Sequence, residues 1–121
     1  MFVVNTPHVT LANDAYRRVI FTTTTIQMVV MCLAPHQDIP KEQHKLSTQI
    51  LRVEHGDCAV ELFAKNGFAK KRVILRVGDS VIIPPGKFHR VIAGTNGVRL
   101  STLYSPPQHD ANLIQQTQTT D

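Results

Sequence analysis

The stretch Gly78-Asp79-Ser80-Val81-Ile82-Ile83-Pro84-Pro85-Gly86-Lys87-Phe88-His89 decides how this chain is read. A turn glycine opens it, an apolar strand follows over Ser80–Ile83, and a Pro-Pro-Gly corner stops that strand. Proline fixes φ and glycine accepts the positive φ of a tight turn, so the corner is rigid. It delivers His89 at the start of the next strand, with its direction set by the backbone.

Outward from this corner the chain is a series of short β-branched runs separated by Gly, Pro, Asn or Asp, with no sustained helical spacing of apolar residues. Strands are predicted at Val3–Val4, Val9–Leu11, Tyr16–Thr22, Ile26–Leu33, Gln49–Glu54, Ala59–Ala64, Lys71–Arg76, Ser80–Ile83, His89–Ala93 and Arg99–Tyr104. Their even spacing predicts an all-β sandwich or barrel. Turn residues at His55-Gly56-Asp57, Lys65-Asn66-Gly67, Val77-Gly78-Asp79, Pro84-Pro85-Gly86 and Thr95-Asn96-Gly97 predict a topology dominated by hairpins. The run Ile26–Leu33, IQMVVMCL, is apolar on both faces, which places it at the centre of the barrel or under a partner subunit; a homodimer is expected.

The 121 residues fit one domain. The organisation expected is an N-terminal strand segment over 1–14 that adds to the barrel or dimer, a barrel over 15–109 and a polar tail over 110–121, mobile or laid over a neighbour. Apolar residues make up 42% and charged residues 18%, a globular rather than a disordered profile. No apolar run reaches a membrane span and the start MFVVNTPHV lacks a secretory signal, so a soluble cytoplasmic protein is expected. Cys32 and Cys58 sit in strand-like runs without metal spacing and read as free buried thiols.

The formal charge is +4, concentrated partly in Lys65, Lys70, Lys71, Arg72 and Arg76. Little aromatic interleaving accompanies these residues, so nucleic-acid binding is not expected, and the simplest reading is a solvated hairpin.

Chemistry concentrates in a few residues. Glu42 and His44 are separated by one position, and alternation in an extended strand puts both side chains on one face, where they can share an ion. Gln49 follows at an odd offset and joins them only if residues 45–48 turn or bulge. His89 arrives from the Pro-Pro-Gly corner. A barrel interior can collect such residues from distant strands around one cation or small molecule. His8, His36, His55 and His109 lack comparable context and read as surface or turn histidines.

These motifs resemble those of the cupins, whose first motif is G-x5-H-x-H-x3-4-E-x6-G and whose second is G-x5-P-x-G-x2-H-x3-N. Gly78, Pro84, Gly86 and His89 fit the second without a gap, and His44, Gln49 and Gly56 fall at the second histidine, the glutamate and the last glycine of the first. YRRVIFTTTTIQMVVMCLAP, QILRVEHGDCAVEL and LSTLYSPPQH extend the likeness to small stand-alone, phosphomannose isomerase-like cupins over roughly residues 15 to 109. In that group the first motif commonly reads E-x-H-x4-Q, as Glu42, His44 and Gln49 do here.

The resemblance implies a double-stranded β-helix, or jelly-roll barrel, with Glu42, His44, Gln49 and His89 around a divalent Fe, Mn, Ni or Zn ion. It implies a small-molecule ligand such as a sugar or organic acid, with isomerase, lyase or dioxygenase chemistry open. Four positions depart from the general pattern: His36 stands at the leading glycine, Glu42 at the first histidine, Gln49 at the glutamate and Ala93 at the asparagine. The alternative is a non-catalytic cupin with an eroded site, kept as a structural or protein-interaction module.

Overall fold

The computed structural model describes residues 1–118. A short helix α1 (Thr6–Ala12) is followed by β1 (Arg17–Thr22), β2 (Gln27–Leu33), β3 (Asp38–Glu42), β4 (Thr48–Phe63), β5 (Ala69–Arg76), β6 (Ser80–Ile83), β7 (His89–Ser105) and β8 (Ile114–Gln115). All strand pairs are antiparallel, in the order β5-β4-β7-β2-β1-β8, with β3 on β7 and β6 on β4.

Two long strands organise everything else. β4 and β7 pair from Thr48↔Ser105 to Leu62↔His89, with register shifts near Gly56. On one side of that bend β4 also pairs with β6 and β7 with β2; on the other they pair with β5 and β3. The result is a sheet folded on itself, the jelly-roll barrel read from the sequence.

Gly56 makes the bend possible. Its φ is +78°, and a Cβ there would lie 2.1 Å from the Gly97 carbonyl oxygen, so only glycine lets the two backbones cross. His55-Gly56-Asp57 and Thr95-Asn96-Gly97, predicted as hairpin turns, are therefore bends inside continuous strands, because a bulge residue and a turn residue use the same backbone conformation.

The core of Val29, Met31, Leu33, Leu51, Val53, Val91 and Leu100 fills the barrel. β2 is buried on both faces within the single chain: its odd-numbered residues join this core, while α1 packs against β2, β4 and β7 from the other side. Its apolar character calls for no partner subunit.

The N-terminal strand segment is a correction. Val9–Leu11 lies in α1, and Val3–Val4 has no regular structure. Asn5 caps the helix by accepting from the His8 N–H at 3.0 Å, with Pro7 in the first turn, and these local signals outweigh the β-branched residues. In the tail, Ile114–Gln115 pairs with Arg17–Arg18 of β1, and residues 119–121 fall outside the described range. β3 was not predicted, because Pro40 masks an edge strand. Among the described residues no helix is long and apolar enough to cross a membrane.

Candidate metal centre

The Pro-Pro-Gly corner orients two ligands at once. His89 follows it directly, and Gly86 is tied back to the other histidine segment: its N–H donates to the His44 carbonyl at 2.9 Å, and its carbonyl accepts from Gln43 Nε2 at 3.0 Å. Glu42, the last residue of β3, is paired with His89 in register. Chain segments far apart in sequence thus present Glu42, His44 and His89 to one point.

At that point Glu42 Oε1 lies 3.3 Å from His44 Nε2 and 3.4 Å from His89 Nε2, and the candidate ligand atoms of the three residues are all within 4.8 Å of one another. His44 and His89 are buried, and Glu42 is partly so. Despite these short separations, neither Nε2 has an aligned hydrogen-bond partner among the described residues. One carboxylate oxygen and two imidazole nitrogens meeting this closely could hold a single cation. His89 Nδ1 lies 3.0 Å from the Lys87 carbonyl; donating there leaves the Nε2 lone pair free to ligate.

Burial on its own would raise the Glu42 carboxyl, but the two imidazoles beside it outweigh burial and hold it at about 2. The carboxylate is therefore charged at neutral pH, as a ligand must be. Two imidazoles and a carboxylate form a donor set suited to Zn, Fe, Mn or Ni. The residues present fit a metal.

Gln49, the other ligand expected from the sequence, is attached to this group through Tyr104. Its Nε2 donates to Tyr104 Oη at 3.0 Å while its Oε1 is buried without a partner. The Tyr104 ring meets His44 edge-on with centroids 5.2 Å apart. Burial, then the nearby Glu42 charge, pushes the Tyr104 phenol well above its usual range, so it stays protonated.

His109, a surface histidine by its sequence context, instead packs its ring edge-on against Tyr104 at 5.2 Å and lies 6.5 Å from His44. The segment after β7 returns over the barrel, where Gln27 clamps it. Gln27 Nε2 donates to the His109 carbonyl and its Oε1 accepts from the N–H groups of Gln108 and His109, each at 2.9 to 3.1 Å. Burial, then Arg17, pushes the His109 imidazole down to about 4, so it is neutral at pH 7. No spacing in the sequence links His109 to the site; the buried Gln27 is what brings it there. His8, His36 and His55 are exposed, as expected.

His36 stands where the cupin motif has its leading glycine, and its φ of +63° keeps the left-handed conformation that such a glycine would adopt. Cys32 and Cys58 are both free, and burial, with Asp57 beside it, pushes the Cys58 thiol up to about 12. It is chemically quiet.

A family model described as Cupin domain matches residues 29–104. The chain is 40% identical over 116 residues to protein L612 of Acanthamoeba polyphaga mimivirus, covering 94% of this chain and 71% of that protein. It is 28% identical to YrkC of Bacillus subtilis, covering 96% of this chain but spanning only 63% of that protein. The crystal structure of BH2720 from Bacillus halodurans superposes with a TM-score of 0.91 at 30% identity, covering 95% of this chain and 88% of that one. With the folded-over sheet, the glycine bend and the histidines at the motif positions, these matches lead to one conclusion: the chain is a member of the cupin family.

Proposed function

We propose that this cupin holds one divalent transition-metal ion on Glu42, His44 and His89 and recognises a small polar molecule, a sugar or an organic acid, inside the barrel. The observation that carries the reading is the meeting of one partly buried carboxylate with two buried Nε2 atoms that have no aligned hydrogen-bond partner among the described residues. Gln49 offers its unpartnered Oε1 as a further, weaker oxygen donor. When bound, the ion supplies Lewis acidity at a ligand oxygen.

The chain's own groups support a polar ligand. Among the described residues His109 Nε2 and Arg17 Nε are also buried without partners, and the Arg17 charge acts on both Tyr104 and His109. Buried polar atoms of this kind are costly unless something satisfies them. A hydroxyl or carboxylate entering the barrel would do so, with neutral His109 able to accept or donate and Arg17 able to pair with a negative charge.

The test is elemental analysis of untagged protein, as purified and after reloading with Fe, Mn, Ni or Zn. One ion per chain is expected, lost when His44→Ala and His89→Ala are combined in a variant that remains folded. Wild-type protein that retains and rebinds none of the four overturns the proposal and favours a rigid, non-catalytic interaction module.

A further inference from the structure

The basic residues of the middle hairpin are exposed, as a solvated hairpin requires, and three of them line a groove. Lys65, Lys70 and Lys71 are joined by Lys41 of β3 and Lys87 of the β6–β7 turn around a cavity of about 830 Å³. Five exposed lysines from separate chain segments thus line one groove, and among the described residues no acidic residue lines it. Among the described residues none of these lysines is in an ion pair. Like charges gathered this way repel one another, and an anion bound among them would relieve that repulsion.

The cavity also has an apolar floor. Lys41 Nζ lies 4.5 Å from the Phe63 ring centroid and 5.4 Å from that of Phe88, a cation–π contact that holds this ammonium in place. Leu62 and Pro84 extend the floor. The volume suits a small molecule, since ligand pockets run from about 300 to 1,000 Å³. A duplex nucleic acid calls for an extended basic surface instead.

We propose that this groove is a binding site for a small organic polyanion, a compound with two or more negative charges on a body with a flat apolar face, such as a phosphorylated metabolite of nucleotide size. It is separate from the metal centre: Lys41 and Gln43 line it, while Glu42, His44, Gln49 and His89 do not. The two sites nevertheless share a wall, because Phe88 and Lys87 of the groove precede His89 directly.

Adenosine diphosphate is a suitable probe, titrated into the full chain and followed by calorimetry and backbone amide NMR. Saturable binding of one molecule per chain is expected, with the largest shifts at Phe63–Lys71 and Lys87–Phe88. Combining Lys41→Ala with Lys71→Ala should weaken it by about tenfold or more, without lowering the unfolding temperature. A folded His44→Ala, His89→Ala variant should bind the probe as wild type does. The proposal is overturned by an absence of saturable shifts at those amides, by unchanged affinity in the double lysine variant, by loss of binding in the double histidine variant, or by tighter binding of duplex DNA at the same groove.

Discussion

Replacing Gly56 with alanine tests whether the folded-over sheet is held as described. The added Cβ would stand 2.1 Å from the Gly97 carbonyl oxygen, where ordinary contact begins near 3.4 Å, so the two long strands must part by more than 1 Å. The left-handed φ of +78° adds about 1–2 kcal/mol for any residue with a Cβ. Separation also disturbs the Gly56↔Val98 and His55↔Arg99 pairs, which lie between the two register shifts. Together these effects should cost about 3–5 kcal/mol, the range of the severe single substitutions. At about 4 °C per kcal/mol for a chain of this size, the unfolding temperature should fall by roughly 12–20 °C.

Gly78→Ala is the matched control: its φ is +91°, yet nothing lies within 4 Å of the new methyl group. Only the conformational cost remains, about 1–2 kcal/mol. Urea denaturation of both variants separates the two contributions. Equal losses, or a Gly56→Ala protein within about 1 kcal/mol of wild type, would show that β4 and β7 do not cross at this bend.

Other consequences follow from single residues. His36→Gly should stabilise the protein by about 1 kcal/mol in chemical denaturation, since glycine has no Cβ to strain the left-handed backbone; a loss of similar size would mean that the imidazole makes an essential contact. Tyr104→Phe removes the oxygen that accepts from buried Gln49 and should destabilise the metal-free protein by about 1–3 kcal/mol, with most of the loss recovered on adding Gln49→Met; a strictly additive double variant would refute the coupling. Acid should destabilise the metal-free protein in two windows. His109 has its folded value pushed below the 6.5 of an unperturbed histidine to about 4, so its contribution is full above 6.5 and is lost as pH falls towards 4. Glu42 is held at about 2 against 4.5, so its contribution is present above 4.5 and is lost below it as pH approaches 2. His109 is partly exposed and solvent-screened, so His109→Gln should flatten the upper window by about 1 kcal/mol; an unchanged pH profile would refute its burial beside Tyr104.

Much of the fold was legible because strand propensity and turn chemistry agree. Ser80–Ile83 is found as predicted, and the ends of β4 and β7 coincide closely with predicted strands. What the sequence concealed was continuity. Gly56 and Gly97 look like hairpin residues, and only the opposing backbone shows that they serve as bends within long strands. α1 was concealed by Val9 and Leu11, although the Asn5-Thr6-Pro7 cap was present to be read.

The site was legible to the same degree. Glu42, His44 and His89 converge, with His89 set by the Gly-to-His corner; β3 ends at Glu42, so strand alternation does not place His44, whose carbonyl is instead tied to the Gly86 N–H. His109 and Arg17 reach the barrel through long-range returns of the chain, held by Gln27 and by Arg17 Nη1 donating to Gln115 at 2.9 Å. No local pattern encodes such returns. The basic hairpin shows the same limit, since the partners of Lys70 and Lys71 in the groove, Lys41 and Lys87, lie in other segments.

The metal assignment is tested most directly by anomalous-scattering crystallography of protein loaded with manganese or zinc. One peak is expected, about 2.0–2.2 Å from His44 Nε2, His89 Nε2 and a Glu42 carboxylate oxygen. A fully loaded crystal with its ion elsewhere, or with the two imidazoles turned away from that carboxylate, would contradict the assignment.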